Sequence, residues 1–248
     1  MKIALITGGN RGIGKSAALS LAQRGVGVVI TYNSNAQEAD TVVANIKKNG
    51  GKAAALKLDI SKVSTFNDFA AQLSQTLEKE WQQKTFDYLV NNAGIAQRTP
   101  IKDVTEAMFD ELVNVHFKGV FFLTQKLLPL VADGGHLVFL SSGLTRFTHP
   151  SGVSVYAAVK GAVEVLTRYF AVEFASRKIR ANCIAPGALD TDFGGGRTDE
   201  QRKAIGQHTL LGRIGKAEDI GPLIAAVLSD DCAWLNAQRI EASGGMNV

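Results

Sequence analysis

Short aliphatic runs alternate along this chain with longer segments in which apolar residues recur at helical spacing, and no other feature narrows the possible architecture as much. The first run is Ile3–Ile6, followed by a helix-period segment over 13–24 and a second run over 26–31. The alternation continues through a helix at Ala36–Lys48, a strand over 53–58, a helix at Phe66–Trp81 and a strand over 88–90. Helical segments over 104–115 and 117–131 lead to a strand over 136–140. A long helix over 155–176, a strand over 179–184, a helix at Ala217–Leu228 and a strand over 238–242 complete the pattern. Most of the strand runs are continuously apolar, so both sheet faces must be covered, which requires parallel strands joined by helical crossovers. The expected class is α/β: a doubly wound parallel sheet of about seven strands with helices on both faces. Such sheets bind ligands outside the carboxyl ends of their strands, where strand order reverses.

The 248 residues, 46% hydrophobic and 20% charged, suffice for one large core. The five prolines are scattered and no Pro/Ser-rich linker divides the sequence, so residues 1–248 are expected to form one unit. Its 27 basic and 23 acidic residues are dispersed, without the Lys/Arg-rich run that grips phosphate backbones, so nucleic acid is not implied. Cys183 and Cys232 are too far apart for a Cys-x-x-Cys pair and are expected to be reduced and inert in a cytoplasmic setting. The apolar start over 1–6 is too short for a secretory leader, and the apolar stretches over 26–30 and 120–123 fall far short of the roughly 18 residues that span a bilayer. No membrane association is expected. His116, His136, His149 and His208 show no metal-ligand spacing, and no G-x-S-x-G elbow is present, so neither a metal nor an acyl-transfer serine is expected.

After the first run comes Thr7-Gly8-Gly9-Asn10-Arg11-Gly12-Ile13-Gly14. Glycines at 8, 12 and 14 permit a tight strand-to-helix turn and let backbone N–H groups approach a pyrophosphate at the helix N-terminus. The alternative is a glycine-rich turn with no ligand. At the end of the second run, Thr31-Tyr32-Asn33-Ser34-Asn35 lacks the carboxylate that would accept from a ribose 2′-hydroxyl and repel a 2′-phosphate; the first acid, Glu38, lies inside the next helix. Arg11 can bind phosphate bidentately, and Asn33 and Ser34 can donate to it, although the same residues also suit a solvated loop. Further on, Tyr156 and Lys160 stand four residues apart on one helix face. A phenol titrates near pH 10, and a neighbouring cation favours its ionised form.

The pattern T-G-x-x-x-G-x-G at the first strand–helix turn, Asn91-Asn92-Ala93-Gly94 after the fourth strand and Tyr156-Ala157-Ala158-Val159-Lys160 resemble the motifs of the short-chain dehydrogenase/reductase family. The resemblance spans nearly the whole chain and implies a Rossmann-like fold and hydride transfer between a carbonyl or alcohol and NADP(H). It places Gly8, Asn10, Arg11, Gly12, Ile13, Gly14, Asn33, Ser34, Asp59, Ile60, Asn92, Ala93 and Gly94 against the cofactor, with Asp59 and Ile60 at the adenine. Pro186, Gly187, Leu189 and Thr191 fall in its P-G-x-x-x-T segment, beside the nicotinamide. Arg11 sits where NADP-preferring members carry a basic residue. Tyr156 is implied as the proton donor, and Lys160 as the residue that tunes it and binds the nicotinamide ribose. Ser142, with Ser141 as its rival, is implied as the hydroxyl that polarises the carbonyl. The resemblance also matches Asn114 to an asparagine that bends a helix and anchors a water connected to the lysine.

The sequence departs from the family pattern in two places. The Ser142–Tyr156 interval is one residue longer than the family's, an addition that falls within 144–153, and Ser243 stands where an aspartate is expected. Residues 190–210, with Gly194-Gly195-Gly196, resemble a substrate lid, and Leu144, Phe147, Val153, Leu189 and Phe193 are candidates for an apolar pocket; lid residues packing on the sheet is the alternative. A homotetramer is implied. The expected activity is reduction of a ketone or aldehyde like that of 3-oxoacyl carrier-protein and carbonyl reductases, with a catalytically silent NADP(H) sensor as the alternative. Enoyl reduction is disfavoured, because related enoyl reductases space their Tyr and Lys more widely and lack N-N-A-G.

Overall fold

The computed structural model describes residues 1–148 and 152–247. In chain order the elements are β1 (Ile3–Ile6), α1 (Gly12–Gln23), β2 (Gly27–Tyr32), α2 (Ala36–Lys48), β3 (Ala53–Lys57), α3 (Phe66–Trp81), β4 (Phe86–Asn91), α4 (Glu106–Val113) and α5 (Gly119–Leu127). They are followed by β5 (Val131–Leu140), α6 (Ser154–Glu173), β6 (Arg180–Pro186), β7 (Leu189–Asp190), α7 (Asp199–Gln207), β8 (Gly215–Lys216), α8 (Ala217–Leu228) and β9 (Arg239–Ala242). Seven strands form one parallel sheet in the order β3-β2-β1-β4-β5-β6-β9. Strand order reverses between β1 and β4, so the loops leaving these neighbours open side by side at the carboxyl edge.

The alternation of side chains along each strand divides the core in two. Ile3 and Leu5 of β1 pack with Leu73 and Leu77 of α3 and Leu123 and Leu127 of α5, whereas Ala4 and Ile6 face Ala17, Ala18 and Leu21 of α1 and Ile220 and Ile224 of α8. Burial on both faces explains why the strands read as unbroken apolar runs.

Three departures from the sequence expectation have local causes. The helix expected to run to residue 131 leaves α geometry after Leu127, where Leu128-Pro129-Leu130 forms a single 3₁₀ turn, because Pro129 has no N–H to continue the ladder. Strand β5 begins at Val131, before the expected start, and its Asp133-Gly134-Gly135 stretch carries no apolar signal. The two residues each of β7 and β8 pair as a separate parallel ribbon, too short for any periodicity to reveal.

The helical region before β5 is also not two plain helices. Residues Asn114–Lys118 form a π turn between α4 and α5, where one residue is added to the helical circuit. Gly119 closes it against the loop after β3: a Cβ there would lie 2.1 Å from the Ile60 carbonyl oxygen and 2.8 Å from that of Asn114. Backbone atoms cannot yield as a flexible side chain can, so Gly119→Ala is expected to lower unfolding free energy by about 1–3 kcal/mol, read by urea denaturation.

Candidate active site

The loops at the β1/β4 reversal are tied together by Thr7. Its buried hydroxyl donates to Val90 O and accepts from the N–H groups of Asn92 (2.9 Å) and Ala93 (3.0 Å), while Asn92 Nδ2 donates to Thr7 O (2.9 Å) and Gly8 O (3.0 Å). Gly8 and Gly12 adopt φ of +64° and +54°, and a Cβ on Gly14 would stand 2.3 Å from Gly8 O. A narrow, side-chain-free cradle therefore opens onto the N-terminus of α1, the arrangement that accepts phosphate.

One cleft of about 1720 Å³ runs from this cradle across the carboxyl edge of the sheet. Typical small-molecule sites occupy roughly 300–1,000 Å³, so the space suits two molecules side by side. Gly8, Asn10, Arg11, Gly12 and Ile13 line it, as do Asn33, Ser34, Asp59, Ile60, Asn92, Ala93 and Gly94. Gly14 stands behind the lining as the residue that keeps the turn tight. Arg11 is exposed at the entry to α1 and makes no ion pair among the described residues. Glu38 also reaches the wall from α2, where it accepts a 2.8 Å hydrogen bond from Asn10 Nδ2. Asp59 folds back to accept from Ser61 Oγ (2.6 Å) and N (3.0 Å); burial raises its pKa, but these bonds and Lys62 outweigh it and hold the carboxyl below its ordinary range.

Ser142, Tyr156, Lys160, Pro186, Gly187, Leu189 and Thr191 line the far end of the same cleft. The two adjacent serines differ in their partners. Both border the cleft, but Ser141 is buried and donates to Glu164 Oε1 (2.6 Å), whereas Ser142, among the described residues, accepts from Leu144 N, 3.2 Å away. Lys160 is buried and donates to Leu140 O at 2.7 Å, with its Nζ 5.6 Å from the centre of the Tyr156 ring. The ammonium thus lies over the ring face. Burial pushes the phenol up to about 12, and only the Ser142 hydroxyl works against it, so the depression expected from the lysine is not found in this geometry. Burial brings Lys160 down to about 8. A phenol this reluctant to ionise stays protonated throughout the neutral range.

Asn114 does not join these residues. It ends α4 and starts the π turn, and it does not line the cleft. The residue the turn delivers to the site is His116, which is buried and meets the Tyr156 ring edge to face with centroids 5.1 Å apart. The π turn that begins at Asn114 is an irregularity of the helix at the residue expected to bend it.

The catalytic loop is also held from below by charged side chains that sequence reasoning missed. Glu164 Oε1 accepts from Ser141 Oγ, Thr145 Oγ1 (2.7 Å) and Arg239 Nε (2.7 Å); Arg239 and Arg146 both reach Glu241, at 3.0 and 2.6 Å. The available signal was the spacing of Glu164, one helical turn beyond Lys160. Leu144, Phe147, Val153, Leu189 and Phe193 line the same cleft. The inserted residue falls in a segment that includes 149–151, outside the described residues, as does His149. Cys183 is unbridged, and burial pushes its thiol up to about 12, which makes it a poor nucleophile.

A family model described as enoyl-(acyl carrier protein) reductase matches residues 8–247. The chain belongs to the short-chain dehydrogenase/reductase family. As a member of that family it is an oxidoreductase. A curated relative, the hydroxynaphthalene reductase-like protein Arp2 of Metarhizium brunneum, is 36% identical over 257 residues, covering 98% of this chain and 94% of its own. Among solved structures, the promiscuous reductase LugOII, described as catalysing keto-reduction at C1 during lugdunomycin biosynthesis, superposes with a TM-score of 0.94 at 34% identity, covering 100% of this chain and 98% of its own. The angucycline C-6 ketoreductase LanV, with bound NADP, superposes with a TM-score of 0.93 at 34% identity over 98% of this chain and 95% of its own. The short-chain dehydrogenase/reductase chain described here contains no helix, among the described residues, long and apolar enough to cross a membrane.

The network beneath Ser142 carries a pH signature. Hydrogen bonding to Arg146, opposed by burial and aided by Ser243 and Arg239, holds the Glu241 carboxyl down to about 2. A carboxyl depressed on folding stabilises the protein above its ordinary pKa near 4.3 and loses that contribution as pH falls towards the folded value. Between about pH 4.5 and 2 the melting temperature of the wild type is expected to fall more steeply than that of Glu241→Gln, as followed by circular dichroism.

Proposed function

We propose that this chain is an NADPH-dependent carbonyl reductase that acts on the keto form of a polycyclic, hydroxylated aromatic substrate and also runs in reverse. The observation that carries the reading is a single cleft with a glycine cradle and Arg11 at one end and Ser142, Tyr156 and Lys160 at the other. The cradle fits a dinucleotide pyrophosphate, because Gly8 and Gly12 turn the backbone at positive φ with no side chain between it and the cleft, and a Cβ at Gly14 would break that turn against Gly8 O. NADPH supplies the hydride when bound. Arg11 would hold its 2′-phosphate, with Asn33 and Ser34 donating beside it, and Lys160 would bind the nicotinamide ribose. NADP or NADPH accompanies several structurally similar proteins, LanV among them, which supports that choice.

In this reading Ser142 donates a hydrogen bond to the substrate oxygen and stabilises the charge that develops there, while the Tyr156 hydroxyl gives up its proton to that oxygen. Lys160 supplies positive charge to the phenolate left behind. In the reverse direction Tyr156 takes the proton from the alcohol. The hydroxynaphthalene and angucycline reductases among the similar proteins support a flat aromatic ketone. Phe147 and Phe193 offer it apolar walls. Arg98 and Arg197, neither paired with a carboxylate among the described residues, favour acidic hydroxyls; burial and the like charge of Arg98 lower the Arg197 pKa. Residues 190–210 would close as a lid, with Gly194, Gly195 and Gly196 all at positive φ. Assembly as a homotetramer is part of the same reading, supported by the exposed apolar stripe of Val165, Tyr169 and Val172 on α6, which a second copy would cover.

The decisive measurement is loss of reduced-nicotinamide absorbance across a panel of hydroxylated aromatic ketones, β-ketoacyl thioesters, simple aldehydes and enoyl thioesters. Turnover of the aromatic ketones is expected, falling about 10²–10⁴-fold in Tyr156→Phe. Tight NADPH binding with no turnover of any compound would point to a sensor, and turnover confined to the enoyl thioesters would overturn the carbonyl assignment. With the favoured ketone, NADPH is expected to outperform NADH. Arg11→Ala should reduce that preference about 10–100-fold, the worth of a hydrogen-bonded charge pair at about 1.5–3 kcal/mol, read as the ratio of kcat/KM values.

A further inference from the structure

His116 is only 1% exposed, lies in an irregular turn of the helix, and has no part in the chemistry described above. Two elements meet on its ring. On one side it stands edge to face against Tyr156 of α6, with centroids 5.1 Å apart and an interplanar angle of 90°. On the other, Nε2 is 2.8 Å from Ile95 O and 3.2 Å from Ile95 N, just past the Asn91-Asn92-Ala93-Gly94 segment that borders the cleft. One tautomer cannot serve both atoms. The shorter contact assigns the proton to Nε2, donating to Ile95 O, and leaves Nδ1 as a buried acceptor with no partner among the described residues. The approach also depends on Gly94, where a Cβ would come within 2.7 Å of the imidazole Cε1.

The titratable groups that face the ring are Tyr156 and Lys160, both from α6. Burial, reinforced by the Lys160 charge, takes His116 down to about 3, so it is neutral throughout the working range and acts through its shape and its one hydrogen bond. His136 serves as an internal comparison. It is equally buried and also has a partnerless Nδ1, but it lies within β5, bonded to Asn182 of β6 inside the sheet.

We propose that His116 is the positioning residue of this reductase: its ring edge sets the plane of the Tyr156 phenol, and its Nε2 ties that phenol to the Ile95 peptide at the border of the cofactor cleft. The proposal rests on Tyr156 being the proton donor. A misplacement of about 1 Å at the reacting centre can cost about 10²-fold, so a mobile phenol should show in kcat while the cofactor's distant contacts hold KM.

The test compares His116→Leu, which removes both contacts at similar volume, with His116→Phe, which keeps the ring edge, and with His136→Leu, a buried histidine lost elsewhere. Three quantities are read: kcat and KM for NADPH, thermal melting, and the ionisation of Tyr156 in the free protein by NMR of ¹³Cζ-labelled tyrosine, assigned with Tyr156→Phe. In His116→Leu, kcat is expected to fall about 10–100-fold with KM for NADPH within about twofold. At about pH 10.5 the Tyr156 signal should be largely that of phenolate in His116→Leu, where the phenol, no longer held at its ring edge, turns into the open cleft and meets water, and that of phenol in the wild type and His116→Phe. His136→Leu should lower the melting temperature and leave kcat and the Tyr156 signal unchanged. If His116→Leu behaves as His136→Leu does, losing only melting temperature, the proposal is overturned. Full turnover by Tyr156→Phe would remove the donor assignment instead, while the NMR titration, which needs neither cofactor nor substrate, still judges the His116–Tyr156 contact.

Discussion

The site depends first on the seam between β1 and β4. Two neighbouring parallel strands whose connections depart in opposite directions leave a crevice, but a crevice holds a ligand only if its two lips stay in register. Here one buried threonine hydroxyl and one asparagine amide do that: Thr7 and Asn92 exchange four hydrogen bonds with each other and with the adjoining peptides of Gly8 and Ala93. Each bond engages a backbone group of the two loops, so loosening one frees both lips of the crevice. The glycine cradle, the helix end behind it and the wall carrying Gly94 and Ile95 all take their positions from this junction.

The catalytic end is built on a different principle. Ser141 is tied down by Glu164, which also gathers Thr145 and Arg239, and this leaves Ser142 the freer of the two hydroxyls at the cleft. A carboxylate buried to this degree is tolerated because an arginine and two hydroxyls share its charge. Lys160 and Tyr156 then define the remaining walls from one helix, and burial rather than charge controls both: it keeps the phenol protonated and makes the ammonium easier to discharge.

Much of this was legible before any coordinates. The strands announce themselves because burial on both faces demands unbroken apolar runs, and the boundaries of Ala36–Lys48, Phe66–Trp81 and Ala217–Leu228 read from periodicity coincide with α2, α3 and α8. The glycine loop was legible because its conformation excludes side chains. What escaped was long-range or irregular. Strand β5 was read short because its first half contains Asp133, Gly134 and Gly135. His116 was overlooked because a π turn changes the facing of every later residue without leaving a mark on apolar spacing. The Glu164–Arg239–Glu241 cluster joins residues up to 77 positions apart, Glu164 to Glu241, and pairing at that separation has no sequence pattern to betray it.

That cluster has a consequence for how the protein comes into being. Arg239 and Glu241 belong to β9, which follows every other strand of the sheet in chain order and takes its outer edge. A ribosome therefore releases the dinucleotide cradle, the serine loop and the Tyr156 helix before it releases the two residues that brace the loop from beneath. Until β9 docks, Glu164 has no guanidinium to share its charge and Arg146 has no carboxylate. The nascent chain can assemble most of its sheet, but the serine loop gains its final support only once β9 has been made and docked.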